Sequence, residues 1–137
     1  MLDLDHFKHI NDTYGHSAGD VVLQSFAQIL RNAFRVGDAV GRFGGDEFVV
    51  LLVDLPDPST AERKALQVMQ ETMKIELDGK NIGVSVSIGI ALAPHDGMTY
   101  DDLFQKADQA LYNVKSQGRN GYSLCMGTPV HGTSGTN

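Results

Sequence analysis

The stretch Ala39 to Val53 constrains the fold most, because Gly44-Gly45 followed by Asp46-Glu47 separates two runs with the composition of β-strands. A Gly-Gly pair between apolar and aromatic residues predicts a tight hairpin, since glycine accepts the positive φ that short hairpin turns require. Gly44 and Gly45 are therefore the expected turn, and the two acids open the returning strand. Alternate side chains of a strand point to opposite faces, so Asp46 and Glu47 are expected to diverge. Val49 to Val53 is apolar without alternation, which suits a strand buried on both faces and a rigid anchor for the acidic tip.

Before the hairpin, Met1 to Asp5 alternates apolar and acidic residues, a strand end with Asp3 and Asp5 on one face and Leu2 and Leu4 on the other. His6 to Thr13 carries Phe7 and Ile10 at helical spacing and predicts a short helix. Ser17-Ala18-Gly19-Asp20 has the form of a capping box opening a longer helix to about residue 34, with Val22, Phe26, Leu30 and their neighbours as a wide apolar stripe. Arg35-Val36-Gly37-Asp38 is expected to close that helix with a cation and a glycine stop.

After the hairpin, Ser59 to Glu62 begins a third major helix with Ala61, Ala65, Val68 and Met69 inward, and Asp78-Gly79 marks a turn. Val84, Val86, Ile88, Ile90 and Leu92 alternate with Ser85, Ser87, Gly89 and Ala91, a strand whose second face is small enough to lie under a helix. Thr99 to Asp102 caps the last helix, which turns Leu103, Ala107, Ala110, Leu111 and Val114 inward and stops at Gly118. Tyr122 to Met126 predicts a final strand. Gly127 to Asn137 lacks periodicity and predicts a disordered tail. The order β-α-α-β-β-α-β-α-β, with a short extra hairpin near residues 75 to 84, gives an α/β (α+β) sandwich with a largely antiparallel sheet.

A chain of 137 residues fits one domain. A formal charge of −6 with only 11 Lys and Arg argues against coating nucleic acid, since phosphate neutralisation needs clustered cations. A small anionic ligand stays compatible if a metal supplies positive charge. The single cysteine, Cys125, excludes an internal disulfide framework and is compatible with a reducing, cytoplasmic setting. No apolar run approaches the roughly 20 residues of a membrane helix.

Gly-Gly-Asp-Glu-Phe at 44–48 resembles the signature of the GGDEF family, the diguanylate cyclases. Three further stretches resemble that family in order: Asp3 to Asp20, Ser85 to Ala91, and Ala107 to Asn120. The resemblance implies a palm-like, ferredoxin-related fold akin to class III nucleotide cyclases. It also implies condensation of two GTP into cyclic di-GMP with release of two pyrophosphates, dependent on Mg²⁺ or Mn²⁺, with two ions per site. Family domains carry the rest of the first strand and a preceding helix. The expectation is thus an N-terminally truncated catalytic domain over residues 1–126, with a sensor or dimerisation region lying outside this chain.

Carried over residue by residue, the resemblance assigns the metal to Asp3, the carbonyl of Leu4, Asp46 and Glu47, with Asp46 and Glu47 catalytic. Whether Glu47 is a ligand or a base for the attacking hydroxyl stays open. Guanine falls to Asn11 and Asp20, whose carboxamide and carboxylate complement the base's donors and acceptor; Asp20 is equally good as a capping acid. The phosphates fall to the backbone of His6 and Phe7, to Lys8, and to Lys115 and Arg119, the last two being otherwise ordinary cations at a helix C-terminus. Arg35 and Asp38 match an inhibitory product site. One set of these residues per chain implies that two chains face each other as a homodimer. The competing readings are a catalytically silent module that binds GTP or cyclic di-GMP, and a cyclase acting on one nucleotide.

Overall fold

The computed structural model describes residues 1–133. In chain order the elements are β1 (Leu2–Leu4), α1 (Phe7–Tyr14), α2 (His16–Ala33), β2 (Ala39–Gly44), β3 (Glu47–Leu51), α3 (Pro58–Thr72), β4 (Glu76–Leu77), β5 (Lys80–Asn81), β6 (Val86–Ile90), α4 (Tyr100–Ser116), β7 (Gly121–Leu124) and β8 (Val130–His131). Six strands form one sheet in the order β2-β3-β1-β6-β7-β8, and β4-β5 is a separate hairpin. Every pairing is antiparallel except β6 with β7, where α4 makes the crossover between parallel neighbours. The class is a mixed α+β fold with a mostly antiparallel sheet, as the sequence predicts.

Period-two alternation assigns the two faces of the sheet. Leu2, Leu4, Phe48, Val86 and Ile88 join Val22, Phe26 and Leu30 of α2 and Val68 and Met69 of α3 in the main core. Phe26 meets Phe48 edge-to-face at 5.0 Å, which ties α2 to β3. On the other face α4 lies over β6, with Ala107 and Leu111 packed beside Met1 and Val49. Asp3 and Asp5 belong to this second face and are both buried. Strand β1 is three residues long, but it sits between β3 and β6 and carries Asp3, with Asp5 just past its end, into the middle of the sheet.

Four local expectations are corrected. The capping box at Ser17 does not form: α2 begins at His16, two residues earlier than that box requires, with Gly15 as N-cap and no side-chain cap. Nor does Gly37 stop α2, which ends where Phe34 turns extended, while Lys64 of α3 donates to the Ala33 carbonyl at 2.6 Å and satisfies a terminal acceptor. Strand β3 is not buried on both faces, because only Phe48 is fully covered and Leu51 and Val53 are exposed. Finally, the tail read as disordered from Gly127 places Val130 and His131 in β8 against β7; residues 134–137 of that tail lie outside the described residues. Thr99 caps α4 as expected, accepting from the Asp102 N–H at 3.1 Å. No helix among the described residues is long and apolar enough to cross a membrane.

Candidate functional site

The acidic tip is built from three chain segments. Strand β1 supplies Asp3, paired with Glu47 on β3 and with Ser87 on β6. The hairpin supplies Asp46 from its turn and Glu47 from the first position of β3. Their register shifts between Arg42 and Gly44, which leaves Phe43 as an extra residue in β2. Gly44 and Gly45 do not take positive φ, so the turn is not the mirror-image type expected from a Gly-Gly pair. A residue that the sequence did not single out fixes the tip instead: Arg42 Nε donates to the Gly45 carbonyl at 2.8 Å, and its Nη2 shares that acceptor.

Because Asp46 lies in the turn rather than in the strand, strand alternation does not govern it, and the two acids converge instead of diverging. One carboxylate oxygen from each of Asp3, Asp46 and Glu47 lies within 4.8 Å of the others. The Asp46 carbonyl accepts from the Leu4 N–H at 3.2 Å and locks the tip onto β1. Lys115, from the last turn of α4, pairs with Asp3 Oδ2. The other oxygen, Asp3 Oδ1, is buried with no hydrogen-bond partner among the described residues. Burial pushes the Asp3 carboxyl up to about 6; the Lys115 ammonium pulls it down and the neighbouring Asp46 pushes it up again.

An orphaned buried carboxylate oxygen inside a set of three acids, faced by a single ammonium, is an unbalanced arrangement for a protein alone. Hard oxygen donors of this kind suit a divalent cation such as Mg²⁺ or Mn²⁺. Asp3, Asp46 and Glu47 therefore fit a metal. Leu4 follows Asp3 on β1 and is fully buried.

The remaining expected residues lie on α1, on α2 and in the turn after α4. His6 takes a left-handed conformation (φ 54°) as N-cap of α1, and neither its N–H nor that of Phe7 is used by the described residues. Lys8 projects from the same turn and is exposed. Asn11 lies on α1 over Gly19 of α2, next to Asp20. A Cβ on Gly19 would stand 1.8 Å from Asn11 Oδ1, so the missing side chain is what lets the carboxamide lie there. Asp20 is exposed and is not a cap, which removes the structural alternative for it. Gly118 closes α4 in a Schellman arrangement, with the Arg119 N–H donating to the Val114 carbonyl at 3.0 Å. The Arg119 guanidinium makes no ion pair among the described residues.

Arg35 and Asp38 come together, but apart from this cluster, at the far end of β2. That strand is six residues long, or ~20 Å. Asp38 accepts from the N–H groups of Arg35 at 3.0 Å and Val53 at 3.1 Å, and the Arg35 guanidinium reaches the Val53 carbonyl. Burial pushes the Asp38 carboxyl up, but these backbone donors and the guanidinium outweigh it and hold the group below the usual carboxylate range.

Asp5 is the buried acid that sequence reasoning left without a role. Its carboxylate accepts from Ser85 and Ser87 hydroxyls, each at 2.6 Å, and from the Asn120 N–H at 3.0 Å. It thereby ties β1, β6 and the turn after α4 together. The available signal was its place in the buried alternation of β1 opposite two serines.

A family model described as diguanylate cyclase, GGDEF domain, matches residues 1–121. Diguanylate cyclase A of Treponema denticola is 40% identical over 125 residues, covering 90% of this chain and 34% of that protein. A Pseudomonas aeruginosa protein named cyclic di-GMP phosphodiesterase NbdA is 42% identical over 121 residues, covering 88% of this chain and 15% of that protein. The chain thus spans about a third or less of these relatives. The solved GGDEF domain of TpbB from Pseudomonas aeruginosa superposes with a TM-score of 0.85 at 41% identity, covering 90% of this chain and 73% of that one. With the Gly44–Phe48 signature at the tip of this hairpin, and the match running through every element from β1 to the start of β7, the chain belongs to the diguanylate cyclase GGDEF-domain family.

Proposed function

We propose that this chain is a catalytically competent diguanylate cyclase domain, which condenses two GTP into cyclic di-GMP with release of two pyrophosphates. The observation that carries this reading is the convergence of Asp3, Asp46 and Glu47 around the unpartnered Asp3 Oδ1. Asp3, Asp46 and Glu47, with the carbonyl of Leu4, would hold two Mg²⁺ or Mn²⁺ ions. When bound, the cations neutralise charge that develops on the reacting phosphate and lower the pKa of the attacking hydroxyl. Gly44 and Gly45 leave open space above the tip, so a triphosphate can approach the backbone there. The amides of His6 and Phe7, with Lys8, Lys115 and Arg119, receive its oxygens. Glu47, half-buried beside Asp3, serves as a ligand or takes the proton of the ribose 3′-hydroxyl. Each chain binds one GTP, so two chains meet as a two-fold dimer to complete the reaction. A cytoplasmic setting is part of the same reading.

Incubating the domain with GTP and Mg²⁺ and identifying the product by mass tests this reading directly. Performed over a dilution series, the assay should show specific activity that rises with protein concentration. Cyclic di-GMP is the expected product. Its absence at high concentration, with GTP still bound, favours the silent-module alternative, which the likeness to a protein named as a phosphodiesterase keeps in play.

Asn11 and Asp20 select guanine in this reading. A site that hydrogen-bonds one base edge rejects a base lacking those donors by up to ~10⁴, because its own polar groups are left unpaired. Asp20→Ser is expected to raise the use of ATP relative to GTP by at least ~10-fold while leaving metal binding unchanged. Competition kinetics with both nucleotides check this, and an unaltered ratio removes Asp20 from base selection.

Arg35 and Asp38 bind product at a separate, inhibitory site in this reading, with the Arg35 fork taking phosphate or the guanine O6/N7 edge. Arg35→Ala should weaken cyclic di-GMP binding ~10-fold or more and leave initial rates intact, since a charged hydrogen bond is worth roughly 1.5–3 kcal/mol. Calorimetry with cyclic di-GMP decides it. Unchanged affinity would leave Arg35 as a staple of the turn to Val53.

A further inference from the structure

The turn that carries Arg119 is held from outside the family-matched residues. Gly118, Arg119 and Asn120 follow one another with φ of 116°, 63° and 46°. Two successive non-glycine residues in the left-handed region persist only where their surroundings fix them. All four backbone polar groups of Arg119 and Asn120 are engaged. The two N–H groups go to the Val114 carbonyl and to Asp5 Oδ2, each at 3.0 Å. The two carbonyls depend on the C-terminal segment: His131 Nδ1 donates to the Arg119 carbonyl at 2.7 Å, and the Gly132 N–H donates to the Asn120 carbonyl at 2.7 Å. A carbonyl only accepts, so the His131 ring carries its proton on Nδ1. Gly121, opposite His131 in the β7–β8 pair, allows this approach, because a Cβ there would lie 2.5 Å from the Val130 carbonyl.

We propose that β8 is a positioning element for the phosphate site, with His131 holding Arg119 in the left-handed conformation that aims its guanidinium. The inference rests on the reading of Arg119 as a phosphate ligand. It adds a residue that lies after the matched range 1–121, in a segment without periodicity. His131 is exposed and contributes little to the core. Its effect should therefore appear in ligand affinity rather than in global stability.

The test measures binding of the α,β-methylene analogue of GTP, whose bridge resists displacement, with Mg²⁺ and the full chain. His131→Ala should weaken binding about fivefold, the value of one ordinary hydrogen bond, with little change in thermal midpoint. His131→Asn places an amide nitrogen where Nδ1 stands and should restore affinity. In an Arg119→Ala background, His131→Ala should cost nothing further, since the two act as one unit. Affinity unchanged by His131→Ala, or a loss that persists undiminished without the Arg119 side chain, overturns the positioning role alone. If Arg119→Ala itself leaves binding intact, the phosphate reading of Arg119 fails and the role of His131 falls with it.

Discussion

Replacing Asp46 with alanine should lower cyclic di-GMP formation by ~10³-fold or more while leaving the domain folded, since a metal site that stabilises phosphate charge is worth several kcal/mol and 4 kcal/mol is ~10³ in rate. The fold should survive because the contacts that hold the turn do not use the Asp46 side chain. The Asp46 carbonyl that accepts from the Leu4 N–H remains in the alanine variant, and Arg42 still clasps the Gly45 carbonyl. Losing the side chain also removes a negative charge that pushes the buried Asp3 carboxyl upward. Without Asp46 the Asp3 pKa should fall from about 6 toward the ordinary carboxylate range. Asp3, raised in the folded protein, opposes folding above its unfolded value, and that cost grows up to its folded pKa. The metal-free variant at neutral pH should accordingly be as stable as the parent or more so. Two readouts check the prediction independently: product formation by mass, and Mn²⁺ affinity by calorimetry. Near-normal turnover with Asp46→Ala removes the residue from the metal site, and unchanged Mn²⁺ affinity does the same without relying on activity.

Much of this site is legible in the chain because it rests on local rules. Gly44 to Phe48 announces a hairpin through composition, and the small-faced strand Ser85 to Ala91 announces a helix lying over it. Period two then places Asp3 on that second face. What stayed hidden depends on contacts between distant segments. The divergence expected of Asp46 and Glu47 applied strand geometry one residue too early, since Asp46 is still in the turn. The capping box at Ser17 failed because α2 starts directly from Gly15, with α1 packed close above it. Alternation puts Asp5 on the face of Asp3, but what holds it there is not local. Its three donors come from residues 85, 87 and 120, so only the tertiary structure assembles them. Strand β8 was missed for a similar reason, since two paired residues carry no periodic signal.

Asp5 also explains how these separate segments are tied together. Asp3 and the amides after it lie on either side of Asp5 in sequence, and Asp5 holds the Asn120 N–H beside Arg119. A buried carboxylate with three donors is a fixed point. From it Asp3, the start of α1 and the turn that carries Arg119 take their relative positions. Under the proposed function, anchoring turn-borne groups to the sheet suits electrostatic stabilisation of a phosphate, because dipoles and charges must not reorganise during reaction.

Gly89→Ala should have the largest effect on stability, through the contact that sets the height of α4 above the sheet. A Cβ at this position would stand 2.0 Å from the Ala107 carbonyl oxygen, 2.4 Å from the Leu111 nitrogen and 3.0 Å from the Leu111 Cα. All three are backbone atoms of α4, so no rotamer change relieves the clash. Either the helix lifts or β6 bends. Lifting α4 opens the tight packing of Ala107, Ala110 and Leu111, and overpacking of this kind costs ~3 kcal/mol, or about 10 °C in thermal midpoint for a chain of this size. The same helix carries Lys115, which pairs with Asp3, so displacing α4 should also disturb the acidic cluster and weaken Mn²⁺ binding in whatever fraction stays folded. Gly41→Ala is the control, since nothing lies within 4 Å of its added methyl and its backbone is extended within β2. It should change stability by no more than ~0.5–1 kcal/mol, in the stabilising direction where it acts on the unfolded chain alone. Thermal and denaturant unfolding of the two variants side by side measure the difference. Equal midpoints for Gly89→Ala and the parent would mean that α4 yields without cost, and that the glycine does not set the spacing between helix and sheet.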